Sequence, residues 1–110
     1  MKPPIVISEH GDVTVFASVE KAAQDLEAID VRNGEYVAYD SEGKLLNLRV
    51  CVSQSNWIRR EIIELEDAEE LPAHQDELKK ILSEFLIQIG CCPTEQTSLS
   101  DLIKMFSDKQ

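Results

Sequence analysis

The stretch "NWIRREIIELEDAEEL", residues 56–71, decides the fold because its pattern suits both a helix and a strand. A helix gathers its apolar residues into one row, made of Ile58, Ile62, Leu65 and Leu71, and the periodicity alone slightly favours it. A strand places every second residue on one face, namely Trp57, Arg59, Glu61, Ile63 and Leu65. The preceding arm, residues 44–52, is longer than its own hairpin partner and needs a returning strand to pair its backbone groups. We therefore predict a strand over residues 57–66.

Two hairpins precede this stretch. In "PPIVISEHGDVTVFAS", β-branched residues flank His10 and Gly11, which predicts strands at residues 5–9 and 12–17 joined by a tight turn. The segment "EYVAYDSEGKLLNLRVCV", residues 35–52, predicts a second hairpin that turns at Glu42 and Gly43. In that register the core face carries Val37, Tyr39, Leu46, Leu48, Val50 and Val52.

Three segments have the 3.6-residue period of helices. In "SVEKAAQDLEAIDV", Ser18 can cap a short helix that ends near Asn33 and Gly34, and one face carries Val19, Ala22, Ala23, Leu26 and Ile29. "HQDELKKILSEFLIQIG", residues 74–90, has a continuous apolar stripe that should pack across the sheet. "TSLSDLIKMFSDK", residues 97–109, predicts a last helix capped by Thr97 or Ser98.

The order of these elements, ββαβββαα, indicates the fold class. Hairpin-connected strands followed by helices predict an α+β fold, with an antiparallel sheet of about five strands packed against helices on one side. The sheet combines the two hairpins with the returning strand. A length of 110 residues is typical of a single domain, which we expect to span residues 1–110.

Negative charge is concentrated in one segment. The chain has a formal net charge of -10, and residues 61–77 contain eight acidic residues without a lysine or arginine. The other 93 residues have 13 acids and 11 bases, so they are nearly neutral. Such a segment repels nucleic acid and anionic membranes and attracts a basic protein surface. It can also simply keep a small protein soluble.

The acids of this segment are the candidate partner-binding residues, with the only tryptophan, Trp57, beside them. The acids are Glu61, Glu64, Glu66, Asp67, Glu69, Glu70, Asp76 and Glu77. They follow one another along the returning strand, a loop and a helix start, so they can form one surface. Asp76 and Glu77 have a local role, because carboxylates stabilise a first helical turn. The loop acids have no such task by sequence, so the prediction rests mainly on residues 66–70. Trp57 suits an interface hot spot or a half-buried core position equally well.

Motifs of catalysis and of metal or cofactor binding are missing from the sequence. It has no GxSxG, no glycine-rich phosphate loop, no HExxH and no CxxC, and its three cysteines and two histidines lack metal-ligand spacing. We therefore expect no catalytic residue, no cofactor and no metal, and hence a binding protein rather than an enzyme. No apolar run reaches the roughly 18 residues of a membrane span, so we expect a soluble, cytoplasmic protein.

Two long segments carry a resemblance to a known group of proteins. "ISEHGDVTVFASVEKAAQDLEAIDVRNGEYVAYDSEGKLL" and "WIRREIIELEDAEELPAHQDELKKILSEFLIQIG" together look like the small immunity proteins of bacterial polymorphic toxin systems, including contact-dependent growth inhibition systems. The resemblance implies a cytoplasmic inhibitor that binds a cognate toxin domain and blocks its active site or substrate channel. Many such toxins are nucleases with basic clefts, so the expected partner is a basic nuclease, with a ribonuclease favoured, and the expected state is a monomer.

Two other functions remain open at this stage. An acidic nucleic-acid mimic would use the same acids but would compete with DNA for many basic proteins. A small regulatory or oligomerising domain would carry the acids only as a solvated face. Neither is expected to bind nucleic acid or a membrane directly.

Overall fold

The computed structural model describes residues 1–55, 57–94 and 96–109. The strands are β1 (Ile5–Glu9), β2 (Asp12–Phe16), β3 (Val37–Tyr39), β4 (Leu45–Ser55) and β5 (Ile58–Asp67). The helices are α1 (Val19–Asp25), α2 (Ala28–Arg32), α3 (Gln75–Gln88) and α4 (Leu99–Lys109). The strands form one sheet in the order β2-β1-β3-β4-β5, in which every neighbouring pair is antiparallel. This is the α+β class that the sequence predicts.

The strand interpretation of residues 57–66 is confirmed, because β5 covers Ile58–Asp67. Strand β5 pairs with β4 in one continuous register, from Leu46 opposite Asp67 to Ser55 opposite Ile58. The paired backbone of the long β4 arm outweighs the helical periodicity of the sequence. Only the first residues of β4 pair with β3, so the rest of the β4–β5 ribbon extends beyond the sheet. The molecule is correspondingly elongated, with extents of 53 × 29 × 22 Å.

Helices cover both faces of the sheet, so the prediction of helices on one side is wrong. On one face, Val6 of β1 packs in a core with residues of α3 and α4, including Leu82 and Phe106. On the other face, Ile5 and Ile7 pack with α1 residues in a second core. The run "IVI" in β1 is therefore buried on both sides, as in a central strand. Each fully buried leucine or isoleucine in these cores stabilises the fold by about 2 kcal/mol.

The second hairpin has a register one residue away from the predicted one. Tyr39 lies opposite Leu45, and Ala38 lies opposite Leu46, so Tyr39 and Leu46 occupy different faces. The cause is the buried Asp40, whose carboxylate accepts hydrogen bonds from the N–H groups of Glu42 and Lys44, both at 2.9 Å. This side chain closes the turn over residues 40–44, and a one-residue slip exchanges the two faces of a strand.

The first predicted helix is divided into α1 and α2. Ser18 caps α1 as predicted, because its hydroxyl accepts a hydrogen bond from the Lys21 N–H at 3.1 Å. Leu26 then takes an extended conformation, with ψ of 142°, and its side chain is buried in the core beside α1. The break turns Ile29 outward, where 63% of it is exposed, instead of placing it on the buried face.

Candidate protein-binding surface

Trp57 lies at the tip of the β4–β5 ribbon. Ser55 at the end of β4 lies opposite Ile58 at the start of β5, so Trp57 lies in the connection between the two strands. Trp57 has a left-handed φ of 74° and is fully exposed, at 102% of its reference surface. The next residue, Ile58, is 62% exposed. The half-buried core position considered for Trp57 is therefore wrong, and the tip presents two large apolar side chains to solvent.

The three glutamates of β5 are paired with arginines from outside the acidic segment. Arg49 of β4 contacts Glu64 at 2.6 Å and Glu66 at 2.7 Å. Arg32 of α2 contacts Glu61 on the opposite face at 2.6 Å. The hydrogen bond from Arg49, together with one from Cys51, holds the pKa of Glu64 below its usual value. Most of the negative charge along β5 is therefore neutralised within the fold.

Asp67, which is the last residue of β5 rather than part of the loop, and Glu69 in the loop also have structural roles that the sequence did not reveal. Asp67 lies 3.9 Å from the Lys44 ammonium and 3.5 Å from the amino group of Met1. Glu69 accepts hydrogen bonds from the N–H groups of Leu45 at 2.8 Å and of Ala73 at 3.2 Å.

Glu69 also contacts His74 Nδ1 at 2.9 Å. The backbone hydrogen bond from Leu45, followed by the contact with His74, lowers the pKa of Glu69. Glu69 therefore fastens the loop between β5 and α3 to the start of β4. The prediction that these acids lack a local task is wrong for Glu69 and for Asp67, because Glu69 bonds within its own loop and to Leu45, and Asp67 contacts Met1 and Lys44.

Three acids of the segment form no ion pair with any residue that the structure describes. Glu70 makes no ion pair or hydrogen bond within the part of the chain that the structure describes, and Asp76 and Glu77 occupy the first turn of α3 as predicted. Burial raises the pKa of the Tyr39 phenol, and the neighbouring Glu77 carboxylate raises it further. We call Glu69, Glu70, Asp76 and Glu77 the acidic corner. Residues 69–77 contain no lysine or arginine, and the next cations are Lys79 and Lys80 on α3.

The tip and the acidic corner lie at opposite ends of β5. The strand separates Trp57 from the loop that follows Asp67 by ten residues, or about 30 Å of extended chain. Trp57 and the acidic corner are therefore not adjacent, and the acids of β5 lie between them. A partner that contacts both must be about the size of a domain.

One face of the β4–β5 ribbon joins these two ends. Alternation along the strands places Arg49 and Cys51 on this face, opposite Glu64 and Ile62 respectively. Arg49 and Glu64 are exposed, Cys51 is partly exposed, and Ile62 is 44% exposed. The ribbon therefore presents a mixed polar and apolar face between the tip and the acidic corner.

The described residues include no cluster of three or more histidine, cysteine or acidic side chains arranged to hold a metal ion. All three cysteines are free. Among the helices that the structure describes, none has the length and apolar character needed to cross a membrane. In the comparisons with known proteins, no family model, no curated protein and no solved structure matches this chain.

Proposed function

We propose that this chain is a non-catalytic inhibitor of the immunity type, which binds a basic toxin domain, in particular a ribonuclease, through the ribbon tip and the acidic corner. The exposure of Trp57 carries the proposal. Tryptophan is the residue type most enriched at interface hot spots, because its large surface contributes strongly when a partner removes it from water. Here the tip presents that side chain without any contact that would explain it as core.

The backbone at the tip supports the same function. A bulky residue in the left-handed region is strained, and glycine would avoid that cost. The turn therefore carries a tryptophan that benefits neither the folded core nor the local backbone. Binding to a partner gives this side chain a role that folding does not.

Charge has a narrower role than the sequence suggested. The β5 acids are paired with arginines, whereas Glu70 and Asp76 remain available to a basic surface. We assign long-range steering to the acidic corner and short-range affinity to Trp57. A nuclease domain of about 100 residues, with a radius of gyration of about 13 Å, can reach both ends of β5. The internal pairing of the β5 acids disfavours a nucleic-acid mimic, which needs a row of unpaired carboxylates.

A capture and inhibition assay tests the proposal. The immobilised chain retains its partner from a lysate of the native cells, and the eluted partner is assayed for cleavage of RNA and of DNA. Cleavage of RNA that is suppressed by the free wild-type chain supports the proposal. Trp57→Ala should weaken the suppression by about thirtyfold, the equivalent of a hot spot of about 2 kcal/mol. The matched control Ile29→Ala removes another exposed apolar side chain and should leave suppression unchanged.

A double variant tests whether the acidic corner steers the partner toward the chain. Glu70→Lys with Asp76→Lys should slow association at low salt and flatten its salt dependence, because both carboxylates are exposed. Full inhibition by the Trp57→Ala chain, or capture of many DNA-binding proteins that DNA displaces, would contradict the proposed function.

A further inference from the structure

The outer edge of β5 is open. Strand β5 is the last in the sheet order and has ten residues, twice the length of β2 at the other edge. The Ala68 N–H donates to the Leu45 carbonyl at 3.0 Å, and the hydrogen-bonding direction alternates along an antiparallel strand. Since the register with β4 is unbroken, alternate residues of β5 direct their N–H and C=O groups outward. These residues are Arg59, Glu61, Ile63, Leu65 and Asp67.

Charge along β5 is polarised. Its start carries Arg59 and Arg60, and its end carries Asp67 together with Glu64 and Glu66, which share the single guanidinium of Arg49. The side chains of Arg59 and Arg60 are exposed, and they form no ion pair with any other residue that the structure describes. A strand that pairs antiparallel with this edge places its C-terminal end beside the basic start of β5. A strand of the same sequence would bring an acidic end there.

We propose that β5 of one chain pairs antiparallel with β5 of a second copy, with the twofold axis at Ile63. In this register Arg59 lies opposite Asp67 of the partner subunit, and Arg60 lies opposite Glu66 of the partner subunit. The twofold axis repeats both pairs, so four arginine–carboxylate pairs flank the central isoleucines. The outward backbone groups of the two strands then meet each other and join the two sheets into one of ten strands.

Charge selects this register over its neighbours. An axis at Glu61 or at Glu64 places two identical carboxylates opposite each other, which is destabilising. An axis at Ile62 keeps only the two pairs between Arg60 and Glu64. The charges that protect this edge from indiscriminate strand addition therefore permit one self-complementary alignment.

A cleft borders the middle of β5. A cleft of about 390 Å³ opens between residues 60–63 of β5 and the α1–α2 region, where Leu26 and Ala28 line it. The helices therefore leave room beside the backbone of β5. The proposed dimer differs from the monomer expected from the sequence.

Complementary charge variants test the alignment by sedimentation equilibrium. The wild-type chain should be a dimer at tens of micromolar, whereas Arg59→Glu with Arg60→Glu, and separately Glu66→Lys with Asp67→Lys, should each be a monomer. In the mixture of the two variants all four opposed pairs are again opposite in charge, so the mixture should form a 1:1 heterodimer. Circular dichroism of each variant verifies that it folds. A monomeric wild type, or a mixture that stays monomeric although both variants fold, would overturn the proposal.

A backbone substitution tests the edge itself. Glu61→Pro removes an outward N–H and leaves the hydrogen bonds to β4 intact, because proline is tolerated on an edge strand. The matched control Glu61→Ala loses the same ion pair with Arg32 but keeps the N–H. We expect the proline variant to be a monomer and the alanine variant a dimer. Equal dimerisation of both folded variants, or edge pairing only with a strand of another protein, would contradict self-pairing.

Discussion

Arg49 lies directly opposite Glu64 in the β4–β5 ribbon, and its guanidinium reaches both Glu64 and Glu66. One arginine therefore holds two carboxylates that the sequence alone assigns to a free acidic surface. The pair is exposed, so its main consequence is for charge presentation rather than for stability.

Arg49→Gln should raise the pKa of Glu64 toward its ordinary value, since the largest cause of the lowered pKa is the hydrogen bond from Arg49. The pKa is measured by following the Glu64 side-chain carboxyl carbon through a pH titration by NMR. The matched control Arg60→Gln removes an arginine of the same ribbon face that forms no ion pair with the described residues, and it should leave that titration unchanged. An unchanged Glu64 titration in the Arg49 variant would show that Arg49 does not lower the pKa of Glu64.

Glu69→Gln should lower the urea concentration of half-unfolding at neutral pH. The folded state lowers the pKa of Glu69, so the charged carboxylate stabilises the fold above its unfolded pKa of about 4.5, and this contribution is lost as the pH falls through the lower, folded value. The difference between the variant and the wild type should therefore shrink on acidification. Glu70→Gln is the matched control, because Glu70 has no hydrogen bond within the described residues. This variant should have the same urea midpoint as the wild type. Equal midpoints for the Glu69 variant and the wild type at neutral pH would show that Glu69 does not fasten the loop.

Local patterns predicted most elements of this fold. Turn glycines, the Ser18 cap and the apolar stripe of α3 place β1, β2, β5, α3 and α4 within two residues of their observed bounds, whereas β4 extends three residues beyond its predicted end. The demand for backbone pairing identified β5 where periodicity favoured a helix. Contacts between distant residues were not predictable in this way. The carboxylate of Asp40 sets the hairpin register, and the break at Leu26 allows helices to cover the second face.

The candidate site was predicted only in part for the same reason. Composition located the acids and Trp57, but the partners of the acids, Arg32 and Arg49, come from elements that fold next to β5 rather than from its neighbours in sequence. Charge counted along a sequence therefore overestimates the charge that the folded surface presents.

Gly43→Ala should destabilise the fold by about 2 kcal/mol or more. Gly43 has a φ of +85°, and an added Cβ would lie 2.6 Å from Gln75 Cγ and 2.7 Å from Gln75 Cα, so the variant combines backbone strain with a clash against the start of α3. Gly34→Ala is the matched control, since its φ is +69° but nothing lies within 4 Å of the added Cβ. The control should cost only about 1 kcal/mol of strain. Both values are read from urea unfolding, and equal losses for the two variants would refute the close approach of the hairpin turn to α3.

Trp57→Gly should make the protein more stable and a weaker binder. Glycine removes the strain of the left-handed φ, and the exposed indole has no packing to lose. The free energy of unfolding should therefore rise by about 1 kcal/mol. The greater conformational entropy of glycine in the unfolded chain offsets part of this gain. Inhibition of the captured nuclease should fall as it does for Trp57→Ala. Thermal unfolding and the cleavage assay on the same preparation measure the two effects. Higher stability with weaker inhibition would show that Trp57 serves binding. Lower stability with weaker inhibition would mean that the indole supports the fold of the ribbon.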